Sequence, residues 1–284
     1  MGDAGAVQNL SFNAGPLRLD VHYKHGTEGF RAQLEHWSTE FATDLHGTRL
    51  HVRCEIEQYP ELLVPTVCSD LARSPRVLWR SGAREAYLEW QYYRAIHEPG
   101  HWQAVISTRS PALEHALRGA VAHELMFEHG LLFHGATLRW NGTTLLLAGH
   151  PGAGKSTISV EGAPDQVLSN EISILAPDTD GQWWAWPSPF WGSGDQPRYS
   201  PPQPLTAVAT LRHGQDRNQW APLRGVHAMA ALAPHVGCQT EEQAGSRLLL
   251  NALRNLVESL PIYSFAWYRP AHPLNDSPWK PFSP

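Results

Sequence analysis

The sequence predicts an α/β protein, with an N-terminal α+β unit followed by a unit built on a mixed sheet. Three features carry this prediction. Residues 28–41 repeat apolar side chains at helical spacing between stretches of strand composition. The apolar run 143–148 leads directly into a glycine-rich loop and a helix. An Asn-Gly pair just before that run predicts an antiparallel hairpin, which a purely parallel sheet would not contain.

The first 108 residues are interpreted as a separate α+β unit that recognises substrate. Strand composition occurs at 17–22, 48–57, 76–79 and 86–91. The apolar stripe of the first helix consists of Phe30, Leu34, Trp37 and Phe41. A stripe of this kind is typical of a buried helix face, so we assign these aromatic side chains to packing.

Residues 97–101 match the zinc motif H-E-x-x-H by letter only. Zinc binding by this motif needs both histidines on one helical face. Pro99 and Gly100 prevent that helix, and the segment is expected to form a turn between strands at 90–96 and 102–107. We therefore assign no zinc site here.

The second unit, residues 109–284, is expected to begin with a helix. Ser110 is a favourable cap and Pro111 a favourable first residue, while Gly130 marks the end. One face of this helix is lined by Leu113, Leu117, Val121 and Leu125. A strand at 131–140 follows, and Asn141-Gly142 turns it back into the apolar run.

One of only three lysines, Lys155, completes the pattern G-x-x-x-x-G-K-[ST]. In such a loop backbone N–H groups surround phosphate oxygens, the lysine reaches the outer phosphates, and the serine hydroxyl of Ser156 supports Mg²⁺. The alternative is a glycine-rich turn without a ligand. We predict that the loop binds ATP with Mg²⁺, through Gly149, His150, Pro151, Gly152, Ala153, Gly154, Lys155, Ser156 and Thr157.

A polar pair, Asn170-Glu171, interrupts the apolar strand 167–175. A carboxylate inside an apolar strand is expensive to bury without a partner, which favours a functional role for Glu171. The alternative is a solvated carboxylate on an exposed strand face.

The order His134-Gly135, hairpin, phosphate loop and Asn170-Glu171 resembles the catalytic core of HPr kinase/phosphorylase and its relatives. The resemblance covers 131–175, and more weakly the segment 188–192, which is similar to a proline-aromatic-glycine loop of that group. Those relatives are serine kinases of small proteins or peptides. Their fold is similar to the nucleotide domain of phosphoenolpyruvate carboxykinase, so the resemblance implies a mixed-sheet P-loop kinase core.

The resemblance also implies roles for individual residues. Lys155 would be catalytic, Glu171 would act as base, as metal partner or as both, and His134 would lie near the transferred phosphate. Without the resemblance, the favoured interpretation of His134 is a hydrogen-bonded core histidine; with it, the two interpretations carry equal weight. Asn170 stands where the family usually has an aspartate; it can orient water or substrate but cannot accept a proton. This departure puts a reverse, phosphorylase-type activity in doubt.

The segment 188–204 is rich in proline, glycine and serine. A long irregular segment in a compact domain is often a lid or a substrate loop, and disorder is an equal alternative. If it is ordered, Asp195 and Arg198 are candidate contacts to substrate or phosphate. Downstream, a strand at 182–186, a helix at 240–260 and a strand at 262–267 are expected.

Composition excludes several functional classes. A net charge of −5 gives no electrostatic footprint for nucleic acid, and no apolar stretch is long enough to cross a membrane. Three scattered cysteines indicate neither a disulfide framework nor a zinc ribbon, and the expected location is the cytoplasm. A homo-oligomer is kept as an alternative to a monomer.

The sequence thus predicts a kinase that transfers the ATP γ-phosphate to a serine, or less favourably a threonine, of a small protein or ribosomal precursor peptide. Two alternatives remain. The first is an ATP-binding sensor or scaffold with little transfer, and the second is a kinase of a small metabolite.

Overall fold

The structure is a computed structural model, and it describes residues 8–24, 27–42, 50–59, 93–98, 100–107, 112–140, 142–161, 166–192, 198–237, 243–273 and 277–278. Helices and mixed sheets combine into the α/β fold expected from the sequence. The chain forms two compact units: residues 1–127 with 238–248, and residues 128–237 with 249–284. No helix among the described residues is long and apolar enough to cross a membrane.

The strands of the first unit are β1 (Gln8–Ala14), β2 (Leu17–Lys24), β3 (Leu50–Tyr59), β4 (Tyr93–Glu98) and β5 (His101–Ser107), and its helices are α1 (Glu28–Glu40) and α2 (Ala112–Phe127). The later helices are α3 (Lys155–Glu161), α4 (Gly225–Leu232) and α5 (Gln243–Ser259). The later strands are β6 (Leu131–Trp140), β7 (Thr143–Ala148), β8 (Gln166–Ser169), β9 (Ile172–Pro177), β10 (Trp183–Trp186), β11 (Gln203–Pro204), β12 (Ala207–His213), β13 (Gln219–Leu223) and β14 (Ile262–Trp267).

The first unit holds a five-stranded mixed sheet of order β1-β2-β3-β5-β4. Thr27 caps α1 by accepting a hydrogen bond from the Phe30 backbone N–H. The predicted aromatic stripe of α1 is buried, and the Trp37 ring lies 5.4 Å from the Phe12 ring of β1, centroid to centroid. The assignment of this stripe to packing is confirmed, and so is the stripe of α2.

The segment with the zinc-like motif is a hairpin, as predicted. β4 and β5 pair antiparallel with His97 opposite Trp102 and Glu98 opposite His101, and Gly100 takes a φ of 73°. A positive φ favours glycine and does not occur inside a helix. The two histidines therefore never share a helical face.

The second unit is built on a mixed sheet of order β11-β10-β9-β6-β7-β12-β14-β13, with β8 pairing alongside β6. β7, β12 and β14 run parallel, whereas β6 and β7 form the antiparallel hairpin that Asn-Gly predicts, with Trp140 opposite Thr143. The likeness of this sheet to phosphoenolpyruvate carboxykinase stays a prediction.

Successive side chains of each strand point to opposite faces of this sheet. Apolar side chains lie on both faces. On β7, Leu146 and Ala148 pack with buried residues of α4 and α5, while Leu145 and Leu147 pack with Ile158 of α3. Helices on both faces bury the sheet centrally, which accounts for its nearly continuous apolar strands.

Several elements differ from expectation or were not foreseen. The predicted strand 167–175 is two strands, β8 and β9, because Asn170 and Glu171 lie in a break between them. β1, β11, β12, β13 and α4 were not predicted. The strands expected at 76–79 and 86–91 lie outside the described residues.

Acid should destabilise the fold through two histidines, His115 of α2 and His235. Burial lowers the pKa of each from 6.5 to about 4, and the charge of Arg118 reinforces the effect at His115. Between these values the unfolded chain binds more protons than the folded chain, so stability falls as the pH drops from 6.5 toward 4. Above 6.5 both states are neutral at these positions, and the effect vanishes.

Urea unfolding at neutral pH and at about pH 4.5 measures this loss. A variant carrying His115→Gln and His235→Gln should lose clearly less stability over the same interval. An equal loss in both proteins would show that other groups govern the acid response.

Candidate functional site

The strand directions gather the predicted site at one edge of the sheet. β7, β12 and β14 are parallel, so their carboxyl ends, at Ala148, His213 and Trp267, meet at one edge. β6 runs the opposite way with Gly135 opposite Ala148, which places His134 next to the loop that follows β7.

The acidic pair reaches the same edge. β9 starts opposite His134, and the Gly135 N–H donates to the Glu171 carbonyl oxygen at 2.8 Å. The pair is separated from β7 only by β6, which corresponds to two strand spacings, about 10 Å. Long side chains can bridge that distance.

The loop between β7 and α3 turns through two glycines with positive φ, Gly152 at 82° and Gly154 at 102°. The Ala153 N–H donates to the His150 carbonyl oxygen at 3.1 Å, and the Ile158 N–H to that of Gly154 at 2.9 Å as α3 begins. Pro151 and Gly152 are exposed, so the outer side of the loop faces solvent.

Lys155 is buried at 7% exposure and lies across this loop. Its Nζ donates to the carbonyl oxygens of Gly149 at 2.6 Å and His150 at 3.2 Å. Burial lowers the pKa of Lys155, and the charge of Glu171 opposes that shift. The two side chains therefore interact electrostatically across the site.

Side chains from the neighbouring strands hold the loop. His213 Nε2 lies 2.8 Å from the Gly152 carbonyl oxygen. A Cβ atom at Gly154 would come within 3.3 Å of the Trp267 ring. Glycine at 154 thus permits the loop to pack directly on the aromatic face at the end of β14.

The acidic pair is covered by the segment 188–192. Asn170 is buried, and its Oδ1 accepts the Gly192 N–H at 2.9 Å. Ser188 is buried as well: its Oγ accepts the Phe190 N–H at 3.2 Å, and its carbonyl oxygen accepts Trp191 Nε1–H at 2.8 Å. The segment is therefore ordered against the pair.

Glu171 is half-buried beneath Gly192, where a Cβ atom would lie 2.8 Å from Glu171 Oε2. This spacing is shorter than carbon–oxygen contacts allow, so the close approach needs glycine. Gly192 was not among the predicted site residues, although the sequence did single out its segment.

Several histidines lie at the same edge of the sheet. His134 is half-buried on β6, and His150 of the loop is exposed. His235 belongs to a short 3₁₀ helix, 233–235, and its pKa is lowered first by burial and then by the charges of His150, His134 and Lys155. Sequence reasoning missed His235, because no motif surrounds it.

The other predicted residues are less closely tied to this edge. Ser156 is exposed and Thr157 half-buried on α3. Arg198 is exposed, and nothing in the described part of the chain places it beside the loop. Asp195 lies outside the described residues.

Within the described ranges, no cluster of three or more His, Cys, Asp or Glu side chains could hold a metal ion by itself. The hydroxyl of Ser156 and the carboxylate of Glu171 are oxygen ligands suited to Mg²⁺, which usually keeps several waters and binds few protein groups. The oxygen donors of these two residues are compatible with Mg²⁺ in their chemistry.

A protein-family model matches residues 113–267, more than half of the chain, and is described as SynChlorMet cassette protein ScmC. The chain belongs to this family. The ScmC match spans α2 to β14 and therefore includes the glycine loop 149–156, the acidic pair and Trp267. No curated protein matches the chain.

Proposed function

We propose that this ScmC-family chain is an ATP- and Mg²⁺-dependent kinase that phosphorylates a serine, or less favourably a threonine, of a small protein or ribosomal precursor peptide. The observation that carries the proposal is the geometry of one sheet edge. A glycine loop with a buried lysine stands there within electrostatic reach of a half-buried carboxylate, Glu171.

Each residue has a distinct task in the proposed reaction. Lys155 neutralises charge on the outer phosphates, and the loop amides fix their position. The hydroxyl of Ser156 and the carboxylate of Glu171 would hold Mg²⁺, which would supply charge neutralisation when bound. Glu171 accepts the proton of the acceptor hydroxyl, and His134 stands beside the same edge to assist that transfer.

The resemblance to HPr kinase/phosphorylase and the P-loop pattern support the same activity. Asn170 accepts a hydrogen bond from Gly192, so the residue at the first acidic position anchors the covering segment. We propose that this segment also contributes to the acceptor site, and that the enzyme works in the cytoplasm.

A second candidate is an ATP-binding sensor or scaffold. The observation that favours it is Asn170 itself, because a single carboxylate remains where two would divide the work of base and metal ligand. Such a protein would bind ATP through Lys155 but would not transfer phosphate.

Labelled ATP, Mg²⁺ and serine-containing peptides separate these candidates. We would first test short peptides encoded beside this chain's gene, because the family description names a cassette. Label on a peptide that depends on Lys155 and Glu171 supports the kinase. ATP binding without label transfer supports the sensor, and label on a metabolite alone supports a small-molecule kinase.

Gly192→Ala should lower phosphoryl transfer at least tenfold, because the base is displaced from its reactive geometry. ATP affinity should stay within about twofold of the wild type. The added methyl would collide with Glu171 Oε2 and displace the carboxylate. Single-turnover transfer and equilibrium binding measure the two effects. Gly29→Ala, in α1 where an added Cβ atom meets nothing within 4 Å, controls for the added methyl. Transfer at the wild-type rate by Gly192→Ala would remove the segment 188–192 from the mechanism.

A further inference from the structure

His235 contacts the loop 149–156 through His150, a position whose residue the loop pattern leaves open. Its ring meets the His150 ring nearly edge to face, with centroids 5.0 Å apart and planes inclined by 63°. His235 is buried at 7% exposure, whereas His150 is exposed. The pair thus joins a buried ring to an exposed ring of the loop.

The backbone around His235 is held by the central strand β6. Val236 forms an antiparallel bridge with Phe133, and the Gly237 N–H donates to the Leu132 carbonyl oxygen at 2.6 Å. A Cβ atom at Gly237 would lie 3.2 Å from the Leu132 carbonyl oxygen, so the two backbone segments run close together. The backbone next to His235 is therefore anchored to the same strand that carries His134.

The charges around His235 also fit a supporting role. Burial, followed by the charges of His150, His134 and Lys155, lowers its pKa to about 4, so the ring is neutral at neutral pH. Because the His235 ring is neutral, it adds no positive charge beside His150 and Lys155 and does not repel them. The face of an aromatic ring also attracts the N–H edge of a neighbouring ring.

We propose that His235 is a positioning residue that acts through His150: its buried ring fixes the His150 imidazole at the phosphate loop, where His150 donates a hydrogen bond to a phosphate of the bound nucleotide. This inference rests on the proposed function, because it needs a nucleoside triphosphate in the loop. It assigns ligand contact to the side chain of His150 and support to His235.

A double-mutant cycle on the full chain tests the proposal, with ATP and Mg²⁺ as the probe in equilibrium titrations. His150→Ala and His235→Ala should each raise the Kd for ATP by about three- to tenfold, the range expected from losing an oriented ring contact. The double variant should be no weaker than the weaker single variant, because both changes remove one interaction. His235→Phe keeps a buried ring and should bind ATP within about twofold of the wild type.

His227→Ala, on the exposed side of α4, is the matched control and should leave the Kd unchanged. The inference is overturned if His235→Ala binds ATP like the wild type, if the two single effects multiply in the double variant, or if His235→Phe is as weak as His235→Ala. Should His235→Ala not fold, His150→Ala is compared in the wild-type and His235→Phe proteins, where an equal loss is expected and no loss overturns the inference.

The outcomes also separate the two proposals. If the wild-type chain binds ATP and His235→Ala binds it with the same affinity, only the positioning role of His235 is contradicted. A wild-type chain that does not bind ATP removes the proposed function, and the positioning role with it.

Discussion

Lys155→Met is expected to weaken ATP binding by about 10- to 100-fold, because a charge-assisted hydrogen bond contributes roughly 1.5–3 kcal/mol. The Lys155 ammonium is buried and donates hydrogen bonds to two carbonyl oxygens of the loop, so the charged group points into the loop. Methionine keeps most of the apolar stem and removes the charge. Phosphoryl transfer should fall at least as far as binding.

Titration with a fluorescent ATP analogue measures this effect, and thermal unfolding checks that the fold survives. Lys24→Met, in β2 of the first unit, removes a lysine elsewhere and should bind like the wild type. Unchanged affinity in Lys155→Met would mean that the loop does not hold the triphosphate.

Glu171→Gln is expected to reduce phosphoryl transfer by about 100- to 10,000-fold, the usual contribution of a positioned base. Glutamine has the same shape under Gly192 but cannot accept a proton, and it is a weaker magnesium ligand. ATP affinity should stay within about threefold, because in the proposed complex Lys155 and the loop amides would bind the phosphates. The variant therefore separates binding from chemistry.

Label transfer from ATP at saturating nucleotide is the appropriate measurement for Glu171→Gln. Glu258→Gln, on the exposed side of α5, makes the same chemical change elsewhere and should transfer normally. Normal transfer by Glu171→Gln would show that another group takes the proton.

The hairpin and the phosphate loop are predictable because their signals are local. Asn141-Gly142 specifies a two-residue turn, and the observed pairing of Trp140 with Thr143 follows from it. The glycines of the loop specify backbone that other residues rarely adopt, as the positive φ of Gly152 and Gly154 shows. The stripe of α1 is equally local.

The supports of the loop are not predictable in this way. His213 and Trp267 reach it only because β12 and β14 run parallel to β7, and such pairings join residues far apart in the sequence. β14 was expected from its composition, but its neighbour was not. His235 follows an alanine-rich helix and carries no pattern that would mark it as part of a site.

The break at Asn170-Glu171 illustrates the same limit. Apolar residues on both sides indicate one strand, whereas the buried amide of Asn170 turns to meet the Gly192 backbone. That contact depends on a segment 22 residues downstream in the chain, which no local pattern around Asn170 indicates.

The most direct test is a structure of the full chain with Mg²⁺ and a non-hydrolysable ATP analogue. We expect the phosphates against the amides of 150–155, Lys155 Nζ on an outer phosphate, and the terminal phosphate facing the Glu171 carboxylate. An empty loop at saturating analogue, or a terminal phosphate directed away from Glu171, would contradict the proposed kinase mechanism.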